Sequence, residues 1–266
     1  DLWEFSYVLM AVLMIAGIAA ALFAAEPSSD ATAVATSSRS DQPALMSWTP
    51  RKLYDAVVGP FVEFFTEHGN KALLLLVAIS LYRLPDFIMG PMVNPFYQDL
   101  GLSNDAIGAM RAGVGLWATI AGVAAAGFCV VRLGLVKTLV IGAFLAPASN
   151  LGLTFMATQG PDLWAFAAAL TLENFSEGFS GTALIAWMSS LTTFGYAATQ
   201  YALLSSFYTI LGKLLKGFSG VAVSELEQVL GLIPAYGVFF ACTAAVGIPS
   251  ILVAIWAGRA HARSMA

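Results

Sequence analysis

Charged residues inside long apolar runs are the feature of this 266-residue sequence that points most directly to chemistry. Arg83 and Asp86 stand in one apolar run, and Glu173 and Glu177 stand in another. A charged side chain surrounded by apolar groups costs free energy unless it is paired or reaches water. Residues of this kind therefore mark candidate sites for a ligand, an ion or a proton.

The first of these runs carries a polar face. A helix turns by about 100° per residue, so five residues of the run would share an arc of about 80°. These residues are Arg83, Asp86, Gly90, Asn94 and Tyr97. Prolines at positions 85, 91 and 95 interrupt the run, and proline is tolerated in a membrane helix that lines a cavity. The pattern predicts a cavity lining, with a purely structural Arg83–Asp86 ion pair at i, i+3 spacing as the alternative.

The second run places Glu173 and Glu177 one helical turn apart. Two carboxylates at this spacing in an apolar medium repel each other, so one of them is expected to bind a proton. A carboxyl group that binds and releases a proton is what proton coupling requires. Asp86 joins the two glutamates as a predicted proton-coupling residue. The alternative is permanent neutralisation by one of three cations: Arg83, Arg111 or Lys213.

Cations and tyrosines in the apolar runs suit an anionic or sugar-bearing ligand. Guanidinium and ammonium groups bind anions, and a tyrosine can stack on a sugar and hydrogen-bond to it. Lys213 could instead extend to the membrane surface, as we expect for Lys216. The predicted ligand-binding residues are Arg83, Asn94, Arg111, Asn174, Tyr208 and Lys213.

The composition defines the class of protein in which these residues act. Hydrophobic residues make up 59% of the chain and charged residues 11%, against roughly 45–50% and roughly 25% in soluble domains. This composition excludes a soluble enzyme, a nucleic-acid-binding protein and a disordered chain. Neither a cofactor nor a metal is predicted, because the two histidines, His68 and His261, lie outside the apolar runs and no phosphate-binding loop occurs.

Seven apolar segments reach the roughly 20 residues that a membrane-spanning helix needs. They predict an all-α transmembrane protein with seven membrane-spanning helices. The first segment could be a signal peptide, but its acidic start and its length favour a membrane helix. The segments cover approximately residues 5–25, 71–97, 105–131, 136–158, 162–190, 198–217 and 231–257.

The positive charges predict the orientation of these spans. Eight of the 12 lysines and arginines lie in alternate connections, within residues 39–71, 132–137 and 259–263. Cytoplasmic connections of membrane proteins are enriched in lysine and arginine, so these connections are predicted to be cytoplasmic. The first span then runs into the cytoplasm, and the C-terminus lies in the cytoplasm as well.

The spans divide the chain into four predicted parts. Serine and proline are frequent between residues 26 and 50, which favours a disordered linker. The parts are a transmembrane helix (1–25), a cytoplasmic linker with an amphipathic helix (26–69), a C-terminal six-helix transmembrane bundle (70–258) and a cytoplasmic tail (259–266).

The spacing of residues also predicts two helix faces. Apolar and acidic residues of Leu53–Glu67 separate onto opposite sides of a helical wheel, which predicts an amphipathic helix interrupted at Gly59-Pro60. In the third span, Ala118, Gly122 and Ala126 recur at every fourth position. A row of small residues predicts that another helix approaches closely there.

Four motifs between residues 52 and 258 carry a family resemblance. They are Gly59-Pro-Phe-Val-Glu-Phe-Phe, Tyr82-Arg-Leu-Pro-Asp-Phe-Ile-Met-Gly, Leu172-Glu-Asn-Phe and Ala198-Thr-Gln-Tyr-Ala-Leu-Leu-Ser-Ser. In these motifs the sequence resembles the AmpG-type muropeptide permeases of the major facilitator superfamily, before and at the start of their seventh helix and in their tenth and eleventh helices. Glu177 departs from the family pattern, in which small residues follow the Glu-Asn pair.

The resemblance implies a fold and a function. The chain would comprise the sixth helix, the central cytoplasmic linker and the C-terminal six-helix half of a twelve-helix transporter, partnered by the N-terminal half of the same transporter. That transporter would lie in the bacterial inner membrane, in contact with lipid, and import anhydromuramyl peptides together with protons. A permease of the same fold for a siderophore or another anionic solute is one alternative. From the residues alone, a non-transporting membrane scaffold or receptor is another.

The linker prediction can be tested by limited proteolysis. We expect a protease applied from the cytoplasmic side to cut within Glu26–Pro50 first, because a disordered segment enters a protease active site without unfolding anything else. Mass spectrometry of the fragments locates the cut. Protection of this segment, with first cleavage at Gln98–Asn104 from the same side, would contradict both the linker and the orientation.

Overall fold

Apolar runs of this length form helices because a helix satisfies its own backbone hydrogen bonds away from water. In the computed structural model of the protein, the described residues are 2–23, 50–192 and 197–264, and they form helices and connections without a β-strand. The all-α prediction is confirmed for this part of the chain. The predicted disordered linker falls on residues 26–49, which lie outside the described residues.

The chain divides into two units, Asp1–Trp48 and Thr49–Ala266. The described part of the first unit is helix α1 (Leu2–Phe23). This helix has no charged residue after Glu4. It covers the first predicted span apart from positions 24 and 25, which lie outside the described residues.

The second unit is built from helices joined by short connections. Its described helices are α2 (Pro50–His68), α3 (Ala72–Asp99), α4 (Asn104–Met110), α5 (Leu116–Leu133), α6 (Leu135–Gln159), α7 (Leu163–Ser190), α8 (Ala197–Lys216), α9 (Ser219–Leu230), α10 (Leu232–Val246) and α11 (Ile248–Ser264). A π-helical turn, Arg111–Gly115, joins α4 to α5. Helices therefore occupy all six of the spans predicted for this unit.

One prediction about a helix boundary is wrong. The helix predicted to be interrupted at Gly59-Pro60 continues through this pair, since α2 runs from Pro50 to His68. A proline removes its own N–H from the helix, and the turns on either side keep their hydrogen bonds. Helix α9 lies between the predicted spans 198–217 and 231–257, and its Glu225 and Glu227 make this stretch too polar for a span.

The last predicted span consists of two helices, because α10 and α11 meet at Gly247. This glycine packs against the ring of Pro147 on α6, and a Cβ atom at position 247 would overlap that ring. The absence of a side chain therefore lets the junction of two helices lie directly against a third helix.

Among the described residues, four helical stretches are long and apolar enough to cross a membrane, judged by length and composition: Ala72–Asp99, Asn104–Leu133, Leu135–Gln159 and Leu232–Trp256. Glu4–Ala20 within α1 is a shorter apolar helix. Helices α7 and α8 are more polar, since α7 carries two glutamates and α8 carries two lysines.

The helices of the second unit pack around two apolar clusters. Helix α7 packs against α5 and α6, helix α10 packs against α6 and α3, and helix α3 also packs against α8. The first cluster includes Met89, Phe96, Tyr97, Leu153, Phe166, Leu170 and Phe240. The second cluster includes Phe64, Ile79, Tyr82, Leu139, Ala143, Ala183, Leu184 and Leu204.

Polar residues occupy the level between the two clusters. On α3, Arg83 and Asp86 follow Tyr82 of the second cluster and precede Met89 of the first. On α7, Glu173 and Glu177 lie between Leu170 of the first cluster and Ala183 of the second. On α6, the fully buried Asn150 falls between the clusters and donates a hydrogen bond from Nδ2 to the Thr243 hydroxyl of α10 at 3.0 Å. We call these five residues the polar layer: Arg83, Asp86, Asn150, Glu173 and Glu177.

A close contact between helix backbones lies beside this layer, between α5 and α7. A Cβ atom at Gly122 would overlap the carbonyl oxygen of Phe175, and one at Gly178 would overlap the carbonyl oxygen of Thr119. Each helix thus offers a glycine to the backbone of the other. The predicted row of small residues is confirmed as a packing face, since Ala118, Gly122 and Ala126 are the buried residues of α5.

This contact predicts different effects for two alanine substitutions in α5. We expect Gly122→Ala to lower the free energy of unfolding by about 1–3 kcal/mol, because the added methyl group forces the two backbones apart. Gly127→Ala is the matched control: a Cβ there meets no atom within 4 Å, and alanine is the better helix former. Thermal unfolding in detergent measures both variants. Equal stability of the two would contradict the close approach.

Candidate functional site

Arg83 and Asp86 form the most tightly paired charges of the polar layer. The Nη1 atom of Arg83 donates to Oδ2 of Asp86 at 2.9 Å, and the two side chains are 20% and 21% exposed. The Nη2 atom of the same arginine lies 3.9 Å from Oε1 of Glu177, whose side chain is 62% exposed. A short, partly buried pair is held more firmly than an exposed contact near 4 Å. Arg83 therefore holds Asp86 tightly and Glu177 loosely.

Glu173 has different partners from Glu177, although the two lie one turn apart on α7. The hydroxyl of Tyr97 on α3 donates a hydrogen bond to Oε2 of Glu173 at 2.9 Å. Tyr97 is fully buried, whereas Glu173 is half-buried. The guanidinium carbon of Arg111 lies 5.7 Å from the centre of the Tyr97 ring, within the range of a cation–π interaction. Glu173 therefore contacts α3 directly, and Tyr97 connects it to Arg111 on the π-helical turn.

The π-helical turn carries Arg111 at its first position and contacts α7 at its last. Thr119 Oγ1 lies within hydrogen-bond distance of the Gly115 carbonyl oxygen, at 3.1 Å, and of Asn174 Oδ1, at 3.2 Å. Asn174 Nδ2 donates to the carbonyl oxygen of Leu170 at 2.9 Å. The Oδ1 end of the Asn174 amide therefore meets α5 through Thr119, and the Nδ2 end is engaged within α7. The structure thus gives this predicted ligand-binding residue a role in the contact between the two helices.

A pocket of about 430 Å³ opens between α3 and α8. Asp86 and Phe87 line it from α3, and the exposed Lys213 and Lys216 line it from α8. The half-buried Tyr208 lies behind Phe87, with 6.0 Å between the two ring centres. Asp86 thus faces two directions, since it is paired with Arg83 inside the bundle and also borders the pocket. The Arg83–Asp86 ion pair is present, and Asp86 and Gly90 are the residues of the predicted polar face that line the pocket.

The structure brings most of the predicted residues into two adjacent groups. Arg83, Asp86 and Glu177 form the first group, which the pocket extends to Lys213. Glu173 and Arg111 form the second group with Tyr97 between them. Asn94 is exposed on α3 and takes no part in the contacts of either group. Within the described residues, no cluster of three or more histidine, cysteine, aspartate or glutamate side chains could hold a metal ion.

The sequence predicts Tyr97 as part of the polar face of α3, but it does not predict the contact of Tyr97 with Glu173. Its partner Glu173 lies 76 residues away along the chain, so no local spacing could identify the pair. Thr119 and Phe87 gave no signal at all, because a threonine or phenylalanine in an apolar run is ordinary.

Known proteins resemble this chain over most of its length. The anhydromuropeptide permease of Escherichia coli is 34% identical over 205 residues, which are 77% of this chain and 38% of that protein. A Rickettsia felis protein named transporter AmpG 4 is 29% identical over 201 residues, 76% of this chain and 46% of that protein. An uncharacterized protein of Haemophilus influenzae is 27% identical over 263 residues, 96% of this chain and 56% of that protein. No protein-family model matches the chain.

These relatives and the apolar helices define the class of the chain: it is a multi-pass membrane protein related to transporters. Within that class it is a relative of the AmpG-type permeases, so the resemblance predicted from the four motifs is confirmed. The chain spans about half the length of these curated relatives, or less.

The geometry of Arg83 predicts two different coupling energies. In a double-mutant cycle, Arg83→Met with Asp86→Asn is expected to show a coupling of about 1–3 kcal/mol, because the pair is short and partly buried. Arg83→Met with Glu177→Gln is the matched comparison and should show about 1 kcal/mol or less, because Glu177 is exposed. Unfolding in detergent measures each variant. A larger coupling to Glu177 than to Asp86 would contradict the observed pairing.

Proposed function

We propose that the chain is the C-terminal part of a major-facilitator transporter that imports anhydromuramyl peptides together with protons. The relatives that cover three quarters of the chain carry the names permease and transporter, and one of them is named for anhydromuropeptide. The substrate of this chain is proposed by that similarity. A transporter also suits a protein in which most of the unusual residues are charges inside apolar helices.

The observation that carries proton coupling is the unequal setting of the carboxylates in the polar layer. Asp86 already has a cation as its partner, since Arg83 donates a hydrogen bond to it at 2.9 Å. Glu173 is half-buried and meets a phenol rather than a cation. A carboxyl group in such a setting can exist in both its charged and its neutral form. Glu173 is therefore the proposed proton carrier, with Glu177 as the exposed group that exchanges protons with water.

The proposed ligand-binding groups are the cations beside these carboxylates. Arg111 and Lys213 are both exposed, so an anionic substrate can reach them. Lys213 borders the pocket of about 430 Å³, and Tyr208 stands near enough to pack against or hydrogen-bond a sugar. Arg83 contributes to the field of the pocket while it remains paired with Asp86.

The proposed membrane arrangement follows the predicted spans. Helix α1 is the last helix of the preceding half and enters the cytoplasm, residues 26–69 form the cytoplasmic linker, and residues 70–258 form the C-terminal six-helix bundle. Residues 259–266 are the cytoplasmic tail. The bundle lies in lipid of the bacterial inner membrane and pairs with the N-terminal half of the same transporter, because a substrate site of this fold lies between two halves.

Glu173→Gln tests the proposal in the full-length transporter. Glutamine keeps the size of the side chain but fixes it in a neutral form. We expect uptake of radiolabelled anhydromuropeptide driven by a pH gradient to be abolished, while exchange of substrate across the membrane continues, because exchange moves no net proton. Glu225→Gln is the matched control for general disruption, because it makes the same change at an exposed glutamate of α9 that belongs to neither group.

Two outcomes would contradict the assignment of Glu173. If the glutamate were only a structural partner of a cation, its removal would strand a charge at a cost of about 3–5 kcal/mol, and folded yield would fall with both activities. Normal yield with unchanged pH-driven uptake would remove Glu173 from the coupling step and make Glu177 or Asp86 the next candidate. Absence of pH-driven uptake in the unaltered transporter would overturn proton coupling itself.

A further inference from the structure

Tyr97 stands between the exposed cation Arg111 and the half-buried carboxyl group of Glu173. We propose that Tyr97 is a positioning residue that links the binding of an anion at Arg111 to the protonation of Glu173. This inference rests on the proposed function and adds to it the residue that connects the two ligands, substrate and proton. The connection consists of one cation–π contact and one hydrogen bond.

The first step in the argument is that Tyr97 has little freedom to do anything else. Its side chain is 0% exposed, and its ring packs against Phe96 and Phe166 with ring centres 5.7 Å and 4.8 Å away. A hydroxyl group buried among apolar rings needs a partner, and the described partner is Glu173 at 2.9 Å. The packing of the ring therefore fixes the direction from which a proton donor approaches the carboxylate.

The second step concerns Arg111, the cation that lies over the Tyr97 ring. Arg111 lies 5.7 Å from the ring centre and its side chain is exposed. A cation over the ring draws electron density from the phenol and strengthens its O–H as a donor. A substrate anion that pairs with Arg111 reduces this effect, so the hydrogen bond to Glu173 weakens when substrate arrives.

The third step concerns the charged side chains around Glu173, which also act on its carboxyl group directly. The charged side chains that act on Glu173 are Arg111 from the π turn, Glu177 from its own helix and Asp86 from α3. Glu177 and Asp86 both have Arg83 as a partner. Removing the Tyr97 hydroxyl leaves all three charged groups in place, including the direct attraction of Arg111 for Glu173. It removes only the route from Arg111 that passes through the Tyr97 hydrogen bond.

A second buried tyrosine supplies a matched control. The Tyr236 hydroxyl on α10 donates to Oδ2 of Asp99 at 2.7 Å, and its side chain is 4% exposed. Its ring centre lies 5.4 Å from that of Phe96, the same phenylalanine that packs on Tyr97. Tyr236→Phe therefore removes a phenol–carboxylate hydrogen bond, here to the exposed Asp99, from the same cluster without changing a contact of Glu173.

The experiment compares Tyr97→Phe and Tyr236→Phe in the full-length transporter, with radiolabelled anhydromuropeptide as the probe. We expect Tyr97→Phe to lower pH-driven uptake about tenfold, which is the effect of one lost hydrogen bond to a charged group. Exchange should stay within about twofold of wild type, because exchange does not require the proton step that Tyr97 positions. Tyr236→Phe should leave the ratio of pH-driven uptake to exchange unchanged. Arg111→Gln should lower the same ratio, because it removes the other end of the connection.

Two results would overturn the inference while the proposed function stands. One is an unchanged ratio in Tyr97→Phe when Glu173→Gln abolishes pH-driven uptake. The other is an equal fall of both activities and of folded yield in Tyr97→Phe and Tyr236→Phe, which assigns the two tyrosines to stability alone. A wild-type transporter without pH-driven uptake overturns the proposed function, and the inference that rests on it falls with it.

Discussion

The ion pair between Arg83 and Asp86 is the interaction on which the rest of the bundle depends. A charge inside apolar helices is stable only when it is paired or wetted, and this pair lies at the level that separates two apolar clusters. Neither cluster contains a charged side chain, because Arg83, Asp86, Glu173 and Glu177 lie between the two clusters. Glu177 and the pocket lie on the exposed side of this pair. Glu173, one turn from Glu177 on α7, is half-buried.

The sequence predicted the helices and part of this layer well, because both depend on local spacing. Runs of apolar residues identify helices whatever they pack against. Arg83 and Asp86 were predicted as neighbours because three residues separate them on one helix. The row that includes Gly122 was predicted as a packing face for the same reason, and the four family motifs added a resemblance that the relatives confirm.

The features that escaped prediction depend on contacts between distant residues or on the balance of weak effects. The hydrogen bond from Tyr97 to Glu173 joins α3 to α7, and only the packed bundle brings the two together. Helix α9 was not predicted, because its two glutamates make this stretch too polar for a membrane span. At Gly59-Pro60 the expected break did not occur, because the loss of one N–H is smaller than the gain from continuing the helix.

The glycine contact between α5 and α7 has a mechanical consequence. Two helices whose backbones touch at Gly122 and Gly178 have no layer of side chains that could yield between them, so they cannot slide or tilt past one another without losing the contact. They behave as a single rigid piece. Any change of shape in the bundle then falls on contacts made through side chains. One of these is the contact of α3 with α8, where Gly212 packs against the Phe87 ring, the pocket lies and α3 contains three prolines.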